Sequence, residues 1–341
     1  MLKNKNLLVA AIICLCLSNG NTAFGKDVGV VLSKIPDSNQ AALPQNKKAV
    51  TNFEQGANLQ KQGDLKGAEA AFRKAIELEP KFVQAYIALG NTLGDQGKPQ
   101  EAIAQYNQAI SLDPKYPEAH FYLGNALYAQ GKLEQAIAQY KKAISFHPEY
   151  ADAHYYLGNA LYAQGKPTEA VAEYTAAIGF DPKNPASYNA LGNALYAKGK
   201  LEEAIAQYKK AISFDPKYAE AHYNLASALY AQDKLAEAVA EYTQAIHLDP
   251  NHAQAYTGLG NAMDDQGKPQ EAIAHYKKAI SLVPNYADAY YNLGITLGRE
   301  QQLEEAIFNF KKARELFQAQ ENKEMVEQVD QLIQKINTRT N

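Results

Sequence analysis

The sequence predicts an all-α protein, a right-handed α-solenoid of eight helix-turn-helix repeats closed by a C-terminal capping helix. Three observations lead there. The eleven residues YLGNALYAQGK stand at 122–132 and again at 156–166, 34 positions on. Prolines recur with the same step at Pro80, Pro114, Pro148, Pro182, Pro216, Pro250 and Pro284. Alanines keep it from Ala68 to Ala306, each with an aromatic four residues later, from Phe72 and Tyr106 to Tyr276 and Phe310. A fixed period of this length marks units that cannot bury their apolar faces alone and must stack on their neighbours.

Each unit reads as two helices. In 117–130, Phe121, Leu123, Gly124 and Leu127 recur at helical spacing, and Gly131 supplies the left-handed residue that ends the helix. A second helix starts near Leu133. Proline fills that register at Pro99, Pro167 and Pro269, where a first-turn proline loses no hydrogen bond. Glu101, Glu169, Glu203, Glu237, Glu271 and Glu305 follow in the first turn, where the helix dipole favours a carboxylate. Ile137, Tyr140, Ala143 and Ile144 form its apolar stripe, and the proline stops it. The glycine of the first helix (Gly90, Gly124, Gly158, Gly192) costs roughly 1 kcal/mol against alanine, so it must serve close helix approach. Ala226 interrupts that row and is small enough to take the same place.

The third unit carries His120, Leu123-Gly124, Leu127, Ala136, Tyr140, Ala143 and Pro148 in one register. That pattern resembles the tetratricopeptide repeat (TPR), and the resemblance covers about four-fifths of the chain. Tyr86, His120, His154, Tyr188, His222, Tyr256 and Tyr290 occupy the position where the family often has tryptophan, which accounts for a chain with 23 tyrosines and no tryptophan. The repeats are expected at 47–80, 81–114, 115–148, 149–182, 183–216, 217–250, 251–284 and 285–318. Both ends depart from the pattern: Asn52 and Gln55 stand in the first unit and Gln318 replaces proline in the eighth. Residues 319–341 follow as a capping helix and tail, with Met325, Val326, Val329, Leu332, Ile333 and Ile336 on one stripe.

The N-terminus has another character. Lys3 and Lys5 precede an apolar run from Leu7 to Leu17, and Ala23-Phe24-Gly25 offers small residues at a cleavage site. Residues 1–25 are therefore expected to be a signal peptide, too short in its apolar run to span a membrane, and 26–46 a flexible leader. Both cysteines, Cys14 and Cys16, lie in the run, so cleavage would leave no thiol for a disulfide, nucleophile or metal site. An exported protein, periplasmic or otherwise extracytoplasmic, is expected.

The chain of 341 residues is 46% hydrophobic, 21% charged and carries a net charge of −3, which gives no electrostatic case for nucleic acid. It holds no phosphate loop, no HExxH and no nucleophile elbow. No enzyme activity, cofactor or metal is expected. His120, His154 and His222 are read as packed histidines without an evident charge partner. His147, His247, His252 and His275 are read as scattered surface residues.

The surface carries what remains. By the resemblance, the first helices line a concave groove in which ligands of the family bind. Residues at i, i+4 and i+7 on those helices form three rows. Phe121, Tyr155, Asn189 and Tyr223 stand in the first; Asn91, Asn125, Asn159, Asn193 and Asn261 in the second; Tyr128, Tyr162, Tyr196 and Tyr230 in the third. Tyrosines supply rigid area with a polar tip, and each amide can both donate to and accept from a main chain. The rows lack the lysine and arginine that a clamp for a terminal carboxylate needs. The reading is a non-enzymatic scaffold binding an extended or helical peptide segment, by resemblance in assembly of an envelope or membrane complex. A carbohydrate-binding or polysaccharide-secretion component, and a regulatory subunit of a partner enzyme, are the alternatives. Lysine pairs such as Lys141-Lys142 and Lys209-Lys210 fall on the second helices, as a solvated outer face.

Overall fold

A computed structural model of the protein describes residues 46–340. The expected signal peptide, and the leader up to residue 45, lie outside the described residues. The described chain is helical throughout and falls into two compact units that meet in sequence between Pro182 and Lys183.

The first unit holds four helix pairs. They are α1 (Lys47–Lys61) with α2 (Leu65–Leu78), α3 (Val83–Asp95) with α4 (Pro99–Leu112), α5 (Pro117–Ala129) with α6 (Leu133–Phe146), and α7 (Ala151–Ala163) with α8 (Pro167–Phe180). The second unit holds α9 (Pro185–Ala197) with α10 (Leu201–Phe214), α11 (Ala219–Ala231) with α12 (Leu235–Leu248), α13 (Ala253–Asp265) with α14 (Pro269–Leu282), and α15 (Ala287–Arg299) with α16 (Leu303–Ala319). The single helix α17 (Lys323–Thr340) follows. Residue 46, assigned to the leader from sequence, belongs to the fold. Asn46 caps α1, its side chain accepting from the Lys48 and Ala49 amides and donating to the Leu78 carbonyl at 2.8 Å.

The turns follow from glycine. At Gly131 φ is 71°; its amide bonds to the Tyr128 carbonyl at 2.9 Å and the Lys132 amide to the Leu127 carbonyl at 3.0 Å. These two bonds satisfy the last carbonyls of α5 as a Schellman motif. At each second-helix end the residue before proline is extended, as His147 shows at φ −136° and ψ 86°, because the proline ring excludes helical geometry there. Where Gln318 replaces proline, α16 runs on to Ala319 and brings Phe317 into the core beside Tyr291, 6.3 Å between ring centres.

Each pair but α11–α12 closes on a glycine of its first helix. A Cβ built on Gly124 would lie 2.6 Å from Cε1 of Tyr140, and one on Gly158 2.6 Å from Cε1 of Tyr174. The second-helix ring thus occupies the space a side chain would need. Alanines 102, 136, 170 and 204 beside these rings are fully buried, so small residues set the helix separation and tyrosine fills the gap. Within each unit successive first helices also touch (α3 with α5, α5 with α7; α11 with α13), a closeness no pair of second helices has. First helices therefore lie on the inner side of each unit's stack.

The closing helix has the expected stripe, with Met325 and Val329 buried against α16 and Val326, Leu332, Ile333 and Ile336 half-buried.

Candidate functional site: the first-helix face

The expected groove residues divide by burial. In the first unit Asn91, Phe121 and Tyr162 are buried, while Asn125, Tyr128, Tyr155 and Asn159 are half-buried. In the second unit Asn189, Tyr196 and Tyr223 are buried, while Asn193, Tyr230 and Asn261 are half-buried. Phe121 is the hub of a ring cluster, with centres 5.2 Å from Tyr122, 5.0 Å from Tyr150 and 5.5 Å from Tyr156. It supports the rings that meet solvent. Tyr223 packs 4.7 Å from the His252 ring, and Tyr230 donates to Asp265 at 2.7 Å. Asn189 accepts from Asn224 at 3.0 Å.

The asparagine row has a structural role that its spacing did not reveal. Asn91 Oδ1 accepts from the Tyr106 hydroxyl at 2.7 Å, Asn125 from Tyr140 at 2.7 Å and Asn159 from Tyr174 at 2.8 Å. In the second unit Asn193 accepts from Tyr208 and Asn261 from Tyr276, both at 2.8 Å. Burial pushes the Tyr106 and Tyr140 phenols well above their usual range, so each stays protonated and donates. The amide oxygens expected to accept from a ligand's main chain are therefore committed to the fold, and the amide N–H₂ groups keep the donor half of that role.

Where Ser227 replaces asparagine, the Tyr242 hydroxyl lies 3.1 Å from its Oγ. The same repeat has Ala226 in place of glycine, and Gly258 faces the ring instead: a Cβ there would lie 2.5 Å from Tyr242 Cε1. The departure at 226 is thus matched by smaller residues at 227 and 258.

The histidines are better partnered than expected. His154 sits with Nδ1 2.7 Å from Glu173 and Nε2 2.9 Å from the Pro148 carbonyl. Both partners are acceptors, so the ring satisfies them as the imidazolium. The Glu173 hydrogen bond holds the His154 pKa above the usual imidazole range, against desolvation. His222 repeats the arrangement with Glu241 at 2.6 Å and the Pro216 carbonyl at 3.2 Å. His120 bridges Gln139 and the Pro114 carbonyl. His252, expected at the surface, is buried; it accepts from the Ala255 amide at 3.3 Å and lies 3.4 Å from Glu220. Its position just ahead of α13 makes it that helix's cap, as Asn184 in the same register caps α9. His275 is half-buried, and desolvation lowers its pKa.

Two features escaped the row reading. Tyr122 and Tyr156 are half-buried, and their rings lie nearly parallel to Tyr106 (6.1 Å, 18°) and stacked near Tyr140 (6.3 Å, 30°). They cover the tyrosine–asparagine pairs of the preceding repeats. Glu118 and Asp152, also half-buried, stand in the first turns of α5 and α7. Burial pushes the Glu118 carboxyl up. The Tyr150 phenol is raised by burial first, then by Tyr122 and by negative charge at Glu118 and Asp152, and its ring lies 5.0 Å from Phe121 of α5.

Models of the tetratricopeptide repeat match residues 46–82, 71–104, 90–131, 124–165, 158–198, 192–233, 223–287 and 275–308. The chain belongs to the tetratricopeptide repeat family. Such repeats mediate protein–protein interactions and are typically non-catalytic. A TPR protein from Parabacteroides merdae is 21% identical, with a TM-score of 0.56 over 74% of this chain and 99% of that one. The APC/C hetero-tetramer Cut9–Hcn1 is 19% identical, with a TM-score of 0.62 over 79% of this chain and 52% of the other, so the TPR chain spans about half of that relative. Both likenesses are of fold. YrrB, described as a TPR protein with an unusual peptide-binding site, is 27% identical over 54% of this chain and 95% of its own, with a TM-score of 0.47. Comparison with curated proteins returns no match.

Among the described residues no group of three or more His, Cys, Asp or Glu is placed to hold a metal. No described helix is long and apolar enough to cross a membrane.

Proposed function

We propose that this TPR protein is a non-enzymatic scaffold that binds an extended or helical segment of a partner protein on its first-helix face. The observation that carries the reading is the face of α5 and α7. It combines half-buried rings of Tyr122, Tyr128, Tyr155 and Tyr156 with the N–H₂ donors of Asn125 and Asn159. Such a surface is pre-formed by repeat packing, so the receptor loses little entropy on binding. Rings give contact area and the amides set the register of a bound main chain.

The protein acts outside the cytoplasm, in assembly of an envelope or membrane complex, after removal of residues 1–25. The basic start, short apolar run and small-residue site support this. Intact mass of the protein from an envelope fraction checks it: a chain beginning at Lys26 is expected, and one retaining Met1 argues against cleavage.

The binding face is tested by crosslinked pull-down from envelope extract with the Tyr122→Ala/Tyr156→Ala variant. The same register already holds Ala88 and Ala190 in other repeats, so the fold tolerates alanine there. A protein captured by the parent and lost by a variant of equal helicity supports the reading. Unchanged capture moves binding to the outer helices or the termini.

A further inference from the structure

Charge on α3, α5 and α7 of the first unit is one-sided, whereas α1 carries Lys47, Lys48 and Lys61. Helices α3, α5 and α7 contain Asp95, Glu118 and Asp152 and no lysine or arginine. Their two histidines, His120 and His154, are bonded to the Pro114 and Pro148 carbonyls of the loops. Cations of this unit are instead on the second helices, in the turns and on α1, as with Arg73 and Lys98, both engaged with Glu69.

The acids sit in a ring-rich part of the fold. Tyr116 and Tyr150 each stand two residues before one of them, and Tyr150 packs 5.0 Å from Phe121 of α5, itself 5.2 Å from Tyr122. Burial disfavours ionised Glu118, and a cation brought beside it relieves that cost. Tyrosine faces attract the same cations through their quadrupoles.

From this juxtaposition we infer that the face selects a cationic partner segment, with lysine or arginine side chains seated between Glu118, Asp152 and the surrounding tyrosines. The inference rests on the first-helix face being the binding face and adds the chemistry of its occupant. Glu118 and Asp152 hold one register in successive repeats. First helices packed about 10 Å apart match a polyproline-II chain, which rises about 3.1 Å per residue and returns to the same side every three, so basic residues three apart reach both carboxylates.

The probes are fluorescein-labelled peptides of five Lys-Ala-Ala, Gln-Ala-Ala or Glu-Ala-Ala units, followed by anisotropy with the purified protein. The lysine peptide is expected to bind, more weakly at higher salt, and the glutamate peptide to be rejected. Glu118→Gln/Asp152→Asn should weaken the lysine peptide about tenfold, the scale of two partly exposed ion pairs. Removing two exposed charges elsewhere in the unit, Glu77→Gln/Glu101→Gln, should leave it unchanged. No binding of the lysine peptide, or equal loss in both charge variants, overturns the inference. Equal binding of lysine and glutamine peptides that is lost in Tyr122→Ala/Tyr156→Ala also overturns it, while leaving the binding face itself supported.

Discussion

At the scale of single residues, glycine and tyrosine are one device. Replacing Gly158 by alanine would gain roughly 1 kcal/mol of helix propensity, yet the new methyl meets the Tyr174 ring at 2.6 Å. Overpacking of this kind costs about 1–3 kcal/mol, so Gly158→Ala is expected to lower the midpoint of urea unfolding. Gly179, near the end of α8, has nothing within 4 Å of its virtual Cβ, and Gly179→Ala should raise the midpoint slightly. The tyrosine hydroxyl is tested at a fully buried pair. Asn91→Ala removes the acceptor of Tyr106 and should cost about 1–3 kcal/mol, and adding Tyr106→Phe should recover part of it. The glycines and tyrosines were legible in the sequence because each keeps its register. Their contact was not, since the hydroxyl and its acceptor lie 15 residues apart on different helices. Tyr122 and Tyr156 escaped for a related reason: their register holds Ala88, Ala190, Asn224, Gly258 and Asn292 in other repeats, so no row stands out.

At the scale of helices and turns, the array tolerates local exceptions. Gln301 stands where most repeats place a positive-φ glycine and adopts φ 60° itself. Relief of that strain predicts that Gln301→Gly stabilises the protein by up to about 1 kcal/mol, read as a rise in Tm. The histidine of α7 ties the helix to the preceding loop through Pro148 and to α8 through Glu173. Because the folded-state pKa of His154 is raised, its stabilisation is complete below the unfolded imidazole value near 6.5. It fades as pH rises through the higher folded value. Unfolding free energy measured from pH 6 to 8 should therefore decline, and Glu173→Gln should flatten that decline. Helix ends were legible because proline and glycine punctuate them. The capping role of His252 was not, because that position holds Tyr116, Tyr150 and Tyr218 in other repeats and reads as part of a turn.

At the scale of the whole molecule, the eight-fold pattern was legible because repeated packing imposes one register on every unit. The proposed binding face was legible only in part. Its asparagines were found as a row, but half of their hydrogen-bonding capacity belongs to the fold; several of its tyrosines proved to be core. Its acids at 118 and 152 were passed over because Gln84, Ala186 and Gln254 interrupt their register, although Glu220 and Asp288 share it. Sequence periodicity records what neighbours require of one another, whereas a ligand's requirements need not repeat. The central claim concerns which face a partner covers. Hydroxyl-radical footprinting by mass spectrometry of the protein with and without its captured partner tests it most directly. Protection at Tyr122, Tyr128, Tyr155 and Tyr156, with the exposed second-helix rings Phe146 and Phe180 unchanged, is the predicted result. Protection of Phe146 and Phe180 with the first-helix tyrosines still reactive would contradict the account.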